Sequence, residues 1–485
     1  MTQQRWYRSS LALIGAITLF RLVVASRLPV SDDEAYYWTW AQHLAFGYVD
    51  HPPLVAWLIS LGTFGGIAHS SLSLRWPSIL CEAAAAFAAS RATRELQGNE
   101  RAAFLTAFFF SLLPETRLLI GQALPDPPYL LAWSMSLWIM LRFERTRQRN
   151  DAVLLGLTLG AALLSRFFGW ALIFGIAFYA LTPQKRSLWK DGLWLALLLA
   201  LGFYVPNIAW NASHHWANFA FTFHGRQAIR HLEVSRLFAL STFRYAIFAV
   251  AFWGVAWWAI IRPRFTLLAW TALPFTTFLI VLGMFQRVES YWLLGPFTSL
   301  CIGLGIAVSQ LPVAARRTCL GVWLLLAVVS GFFISIASLP LPVQARIMRS
   351  SGHILVGSVV DRSYAYSSLA RALRPVIHNR TFRIVARPYE IASQLRYFGI
   401  HADLTDGSPQ AQQFAMWPIV DTGSTCEILV TFAPHSIGST IGQHSQKTDP
   451  TSRNQRLTYD VANQQGLAFN VRTSDAGPCH EGMPK

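Results

Sequence analysis

The segment SDDEAYYWTWAQHLAFGYVDHPP, residues 31–53, follows the first long apolar run and is the most informative stretch of the chain. It places three consecutive acids, Asp32, Asp33 and Glu34, at the edge of that run, with a cluster of aromatic residues behind them. In a chain that is only 13% charged, this cluster has two interpretations. It could cap a helix at a membrane interface, with acids in the first turn and aromatics in the interfacial belt. It could instead supply catalytic carboxylates at the membrane surface.

The composition predicts a membrane protein with many spans. The 485 residues are 53% hydrophobic, include 19 Trp and 33 Phe, and form repeated apolar runs long enough to cross a bilayer. The formal charge of +16 would suit a nucleic-acid-binding protein, but the basic residues fall in short loops between apolar runs. Positive-inside topology explains that distribution better, so we expect a lipid bilayer and no nucleic acid as partner.

The positions of the arginines orient the chain. Arg5 and Arg8 precede the first span, Ser9 to Val24, and only Arg27 follows it, which predicts a cytoplasmic N-terminus. That run lacks a small-x-small cleavage site, so we interpret it as a retained span. Residues 31–53 then lie outside.

One later run needs a different interpretation. Leu54 to Ile67 is short, and a crossing there would place the arginine-rich residues 91–101 outside, so we expect a peripheral or re-entrant helix. The remaining loops then alternate consistently between the two sides, and most arginines and lysines cluster in the inner loops. The sequence thus predicts an all-α polytopic domain, residues 1–338, with about eleven transmembrane helices and an amphipathic first outer loop over residues 29–73.

The last third of the chain has a different character. Residues 339–485 are polar with mixed charge and short apolar runs, which predicts a soluble α/β domain on the outer side. In that oxidising compartment Cys426 and Cys479 could form a disulfide, although nothing in the sequence fixes their distance.

The loops predicted on the outer side carry most of the candidate functional residues. Asp126 lies between prolines in GQALPDPPY and could simply cap a helix, and Arg166 in a hairpin turn could simply extend toward the interface. The histidines of WNASHHWANFAFTFHGR suggest a divalent metal, but their spacing matches no tight ligand set, so the metal site is left open. The other outward candidates are Asp50, His51, His224, Arg226, Arg287, Glu289 and Tyr291.

Carboxylates and guanidiniums on one side of a membrane suggest group transfer. A carboxylate can act as a general base toward a hydroxyl, and guanidiniums can bind a phosphate and stabilise its charge as a leaving group. Outside the membrane there is no ATP or nucleotide sugar, so an activated group has to arrive on a lipid carrier. No P-loop, GxSxG or HExxH motif suggests another chemistry.

The order DEAYYW, GYVDHPPLVAWL, ALPDPPYLL, LLSRF, WNASHHW and FTFHGR resembles bacterial GT-C glycosyltransferases of the protein-mannosyltransferase-like family. The nearest branch includes aminoarabinose lipid A transferases and rhizobial galacturonosyltransferases. The resemblance runs over about residues 10–300 and recurs weakly in RPYEIASQLRYF, residues 387–398. It implies a GT-C fold and, on the periplasmic face of the bacterial inner membrane, transfer of a sugar from a polyprenyl-phosphate donor to a glycan, lipid or protein acceptor.

The resemblance also implies roles for individual residues. Asp33 matches the first-loop catalytic acid with Glu34 as its partner, and Asp126 matches the second-loop acid. Asp50-His51 replaces the Glu-Lys pair of the aminoarabinose enzymes, which puts the phosphate and metal contacts of that region in doubt. Together with the outer loops, this leads to a hypothesis in which the donor phosphate ligands are Arg166, Arg226 and Arg287 and the cleft residues are Tyr36, Tyr37, Asp50, His51, His224, Glu289 and Tyr291.

Two rival functions are kept. A flippase or transporter of lipid-linked saccharides would share the spans and the basic groove, but it would more naturally carry polar gates on both faces. An inactive assembly subunit could retain the fold, although the presence of both Asp33 and Asp126 argues against it.

Overall fold

The computed structural model describes residues 2–113, 121–224, 254, 257, 260–262, 265–282, 290–337, 358–378, 383–417, 427–432, 454–458 and 468–473. The chain forms two compact units. Unit 1 comprises Met1–Ser26 and Leu44–Ile334, and unit 2 comprises Arg27–His43 and Ser335–Lys485. Nothing in the sequence indicates that the first acidic segment belongs to the same unit as the C-terminal residues.

The described helices of the first 337 residues are α1 (Gln3–Arg27), α2 (Asp32–Ala41), α3 (Leu54–Gly62), α4 (Ser71–Gln97), α5 (Glu100–Ser111), α6 (Asp126–Thr146), α7 (Arg149–Ser165), α8 (Gly169–Leu181), α9 (Trp194–Ser213), α10 (Ala217–His224), α11 (Thr266–Leu282), α12 (Leu294–Ser309) and α13 (Val313–Ala337). A π-helical turn, Trp189–Leu193, precedes α9, and a 3₁₀ turn, Ser290–Leu293, precedes α12.

Three described helical segments are long and apolar enough to cross a membrane: Gln3–Arg27, Trp189–Ser213 and Tyr291–Ser309. Shorter apolar helices cover Gly169–Leu181 and Thr266–Leu282. The total of about eleven spans stays a prediction. Helix α3 has nine residues, a length of about 14 Å that is too short to cross a bilayer, so it fits the predicted peripheral helix.

Local sequence signals explain where these helices begin and end. The Ser70 hydroxyl accepts a hydrogen bond from Ser73 N at 3.0 Å and begins α4, and Gly98 ends it in the left-handed conformation. Asn99 then caps α5 by accepting from Arg101 N at 2.9 Å. Helix α6 tolerates two prolines because they occupy its first turn, where backbone N–H groups have no intrahelical partner.

Small residues let the helices of unit 1 approach closely. A Cβ added at Gly305 of α12 would lie 2.2 Å from Thr106 Oγ1 of α5. A Cβ added at Gly156 of α7 would lie 2.8 Å from the Ala196 carbonyl of α9. Such contacts are typical of helix interfaces in membranes, where close packing replaces the hydrophobic drive.

Ion pairs join several loops that the sequence predicts on the inner side. Arg91 and Arg94 both bind Glu100, at 2.7 and 3.1 Å, and Arg145 binds Glu95 at 3.1 Å. These pairs connect the end of α4 to the start of α5 and the end of α6 to the end of α4. The predicted inner segments therefore meet at one end of unit 1.

Unit 2 contains a five-stranded sheet in the order β2-β1-β3-β5-β4. Three strands are parallel: β1 (Arg383–Arg387), β2 (Asp403–Leu404) and β3 (Glu427–Phe432). Strand β5 (Ala468–Thr473) pairs antiparallel with β3, and β4 (Asn454–Thr458) pairs antiparallel with β5. Helix α14 (Ser358–His378) precedes β1, α15 (Tyr389–Tyr397) follows it, and α16 (Pro409–Ala415) follows β2. Helix α2 packs on α15, so the acidic segment is part of this unit.

Candidate active site

Glu34, the third acid of the segment, caps the first turn of α2. Ser31 donates from both its backbone N and its Oγ to Glu34 Oε2, each at 3.0 Å, and Glu34 is fully buried. This is a capping box, the arrangement that satisfies N-terminal backbone donors. The observed contacts of Glu34 therefore hold the helix start, and its predicted catalytic role stays a prediction.

The other two acids of the turn contact α15. The Tyr389 hydroxyl donates to Asp33 Oδ1 at 3.1 Å. Gln394 Nε2 donates to Asp32 Oδ1 at 3.3 Å and to the Val30 carbonyl at 3.1 Å. The predicted catalytic acid is thus held by a side chain 356 residues away in the sequence.

The aromatics that follow these acids are largely buried. Tyr36 is 1% exposed, with its ring 5.0 Å from that of Tyr389 and stacked 6.1 Å from Phe414. Tyr37 is 7% exposed and meets Trp40 edge-to-face at 4.8 Å. Both tyrosines have packing roles here, and their predicted place in a substrate cleft stays a prediction.

Further along unit 2, His43 stacks on Trp417 at 5.0 Å. Partial burial lowers the pKa of His43, and the nearby charges of Arg396 and His401 lower it further. The neutral imidazole is therefore favoured in the folded protein.

In unit 1, Asp126 and Arg166 form a buried ion pair between the first turn of α6 and the C-terminus of α7. Their side chains are 5% and 3% exposed. The Arg166 guanidinium also lies over the Tyr291 ring, 5.3 Å from its centroid. Neither of the simpler interpretations fits this geometry, because Arg166 is buried and the N-cap position of α6 is Pro125, not Asp126.

A small, partly open pocket lies beside this pair. It brings together three predicted residues, Asp50, His51 and Arg166. The rest of its lining is largely aromatic: Phe167, Phe168, Phe221, Thr222 and Trp292.

Buried asparagines place the Asp50-His51 loop. Asn207 of α9 donates to the Phe46 carbonyl at 2.7 Å, and Asn218 of α10 donates to the Val49 carbonyl at 3.1 Å. Both asparagines are 0% exposed. Our sequence analysis missed them, although amides inside the apolar stretch NIAWNASHHWANFAF were a readable signal, because buried amides need partners.

A second buried charge pair was also missed. Arg21 of α1 binds Glu82 of α4 at 3.0 Å and donates to the Ser111 carbonyl at 3.0 Å, and both side chains are at most 5% exposed. Gly121, which precedes the Asp126 turn, has φ +71°. A Cβ added there would lie 2.6 Å from the Ile79 side chain and 3.7 Å from Arg21 Cβ. Charges within apolar runs were the signal, since ionisable residues there are costly and usually functional.

The described histidines do not form a metal site. His214 stacks on Trp210 at 4.3 Å, with Nδ1 2.8 Å from the Trp210 carbonyl oxygen. Across the described residues no group of three His, Cys, Asp or Glu side chains could hold a metal ion. Arg226, Arg287, Glu289, the His224 side chain, Cys426 and Cys479 lie outside the described residues, so their predicted roles stay predictions.

Comparison with known proteins shows similarity to membrane glycosyltransferases. The sequence profile of the dolichyl-phosphate-mannose-protein mannosyltransferases matches residues 50–210, which include Asp50, His51, Asp126 and Arg166. The chain also resembles the crystal structure of apo ArnT from Cupriavidus metallidurans, with a TM-score of 0.66 and 15% identity, over 96% of this chain and 98% of that one. Residues 50–210 are therefore similar to this glycosyltransferase family, and the whole chain has the fold of ArnT.

Two further proteins extend the comparison. ArnT bound to undecaprenyl phosphate matches with a TM-score of 0.63 and 15% identity over the same shares of both chains. The lipid A galacturonosyltransferase RgtD of Rhizobium johnstonii is 26% identical over 216 residues, 43% of this chain and 44% of RgtD. At this identity the ArnT structures show the shared GT-C fold, and the RgtD match spans less than half of that protein.

Proposed function

We propose that this protein is a glycosyltransferase that transfers a sugar from a polyprenyl-phosphate donor to a membrane-associated glycan, lipid or protein. The observation that carries the proposal is Arg166, held beside Asp126 in the wall of an aromatic-lined pocket. The undecaprenyl phosphate bound to ArnT and the lipid A acceptor in the name of RgtD support the donor and acceptor classes.

Arg166 can bind the donor phosphate. A guanidinium offers five N–H donors in a planar fork, a geometry that matches the oxygens of a phosphate. In a mostly apolar pocket these charge-assisted hydrogen bonds are stronger than in water. His51 lines the same pocket, and Arg226 and Arg287 are proposed as further phosphate ligands.

The proposed chemistry is a single displacement. The acceptor oxygen attacks the anomeric carbon, the bond from that carbon to the phosphate oxygen breaks, and polyprenyl phosphate leaves with the electron pair. Asp33 accepts the proton of an acceptor hydroxyl, whereas an ionised phosphate acceptor needs no base. One displacement inverts the anomeric configuration. Asp126 positions Arg166, and Glu34 keeps α2 intact around Asp33.

The proposed location follows from the basic loops. With the N-terminus in the cytoplasm, the Asp50-His51 loop, Asp126 and Arg166 lie on the periplasmic side of the bacterial inner membrane, as do Asp33 and the C-terminal domain. A periplasmic reaction has no nucleotide sugar, which favours a lipid-linked donor.

Label transfer tests the proposal. Purified protein in lipid is given radiolabelled polyprenyl-phosphate sugars and a membrane acceptor extract, and Arg166→Gln is compared with Arg145→Gln. Arg145 is the matched control because it forms an exposed ion pair at the other end of unit 1. We expect transfer by the wild type and by Arg145→Gln, and a loss of about a hundredfold or more for Arg166→Gln. Translocation of the lipid without transfer to any acceptor would indicate a flippase, and neither activity would indicate an assembly subunit.

A further inference from the structure

The strongest unassigned feature outside the pocket is the attachment of α2 to α15. Tyr389 is the first residue of α15 and directly follows the end of β1 and Pro388. Its hydroxyl donates to Asp33 Oδ1 at 3.1 Å, while its ring lies 5.0 Å from that of Tyr36 on the next turn of α2. The side chain therefore touches both the acid and the helix that carries it.

The contact is one of several along the same two helices. Gln394, which is 0% exposed, donates to Asp32 and to the Val30 carbonyl. Tyr397 meets Trp38 edge-to-face at 5.4 Å. Contacts before, within and beyond the acidic turn fix α2 against α15, so the hydrogen bond to Asp33 is part of an extended interface within unit 2.

A hydrogen bond to one carboxylate oxygen restricts the rotation of the aspartate side chain. A general base has to lie within about 3 Å of the proton that it removes, and small misplacements reduce the rate strongly. A tyrosine hydroxyl suits this task, because the ring is rigid and its hydroxyl can donate to the ionised acid. Loops carry many catalytic residues, but such residues need rigid support.

We propose that Tyr389 is a positioning residue for Asp33, so that the C-terminal domain orients the catalytic carboxylate of the first outer loop. This proposal rests on the proposed role of Asp33 in sugar transfer. Tyr389 acts through Asp33 and does not itself touch the reacting atoms.

The test is a double-mutant cycle of Tyr389→Phe with Asp33→Asn, read as label transfer from the donor that the wild type uses. Phenylalanine keeps the ring contact with Tyr36 and removes only the hydroxyl. We expect kcat to fall about tenfold, while KM changes less than about twofold. This loss is smaller than the rate enhancement of about 10²–10⁴ that a general base supplies, because Asp33 is still present. In the Asp33→Asn background the same change should have no further effect on the residual rate.

Tyr397→Phe is the matched control, because it is the same substitution on the same helix and keeps the ring contact with Trp38. It should leave kcat and KM unchanged. The melting temperature of each variant, measured by tryptophan fluorescence, separates loss of positioning from loss of folding.

The outcomes separate this proposal from the one on which it rests. Full activity of Asp33→Asn would overturn the role of Asp33, and with it the role of Tyr389. Inactive Asp33→Asn with unchanged Tyr389→Phe would overturn only the positioning role. A tenfold loss that persists in the Asp33→Asn background would also overturn it, because Tyr389 would then act independently of Asp33.

Discussion

Arg166 and Asp126, 40 residues apart in the sequence, form an ion pair that is almost completely buried beside the unit 1 pocket. The loop at the end of α7 and the first turn of α6 meet through this pair. A buried pair of this kind is a weak source of net stability, but removing one partner leaves an uncompensated charge. Single and double variants of the pair can therefore separate its effect on stability from its effect on activity.

Asp126→Asn should destabilise the protein, because Arg166 loses the charge that compensates its burial. The cost of breaking a buried pair is about 3–5 kcal/mol. The double variant Asp126→Asn/Arg166→Gln carries no buried charge here, so it should recover most of the melting temperature and yet remain inactive in label transfer. If the single variant is as stable as the wild type, the pair is not energetically coupled.

The pair of Arg21 and Glu82 predicts a similar sensitivity deeper in unit 1. Glu82→Gln should lower the melting temperature in lipid or detergent by about 5 °C or more, because Arg21 is left buried without its carboxylate. Glu95→Gln on the same helix is the control, since its partner Arg145 is largely exposed and such pairs contribute little. Equal melting temperatures for the two variants would show that Arg21 finds another partner.

Gly305→Ala tests the close packing of α12 against α5. The added Cβ would lie 2.2 Å from Thr106 Oγ1 and 2.7 Å from the Thr106 backbone N, so the helices have to separate. We expect a destabilisation of about 1–3 kcal/mol, visible as a lower melting temperature and a lower yield of folded protein. Gly321→Ala in α13 meets no atom within 4 Å and should behave like the wild type. A neutral Gly305→Ala would contradict the observed approach.

His43 predicts a pH dependence of the stability of unit 2. Its folded-state pKa lies below the unfolded value of 6.5, so the unfolded state binds more protons once the pH falls below about 6.5. The contribution of His43 to stability is therefore complete above that pH and is lost as the pH falls toward the folded pKa. His43→Phe keeps a ring against Trp417 and should flatten the decrease in melting temperature between about pH 7 and 5. An unchanged slope would assign the pH dependence to other groups.

Several features were readable from the sequence because they depend on local physics. The capping box of Ser31 and Glu34 follows from residue spacing, and the prolines around Asp126 mark a helix start. The alternation of basic loops predicted that Asp50, His51 and Arg166 lie on one side of the membrane, and the structure brings these residues to one pocket. Tyr36 and Tyr37 illustrate the limit, since an aromatic run has the same pattern whether it lines a cleft or fills a core.

The sequence by itself determined a helical membrane protein with an acidic, aromatic segment after its first apolar run, because hydropathy, charge asymmetry and capping act over short distances along the chain. Only the tertiary structure decided which acid meets which partner. Asp126 pairs with Arg166, Glu82 with Arg21, and Asp33 with Tyr389 at a separation of 356 residues. Such pairs depend on how helices pack in space, and no period or motif in a single sequence specifies that packing.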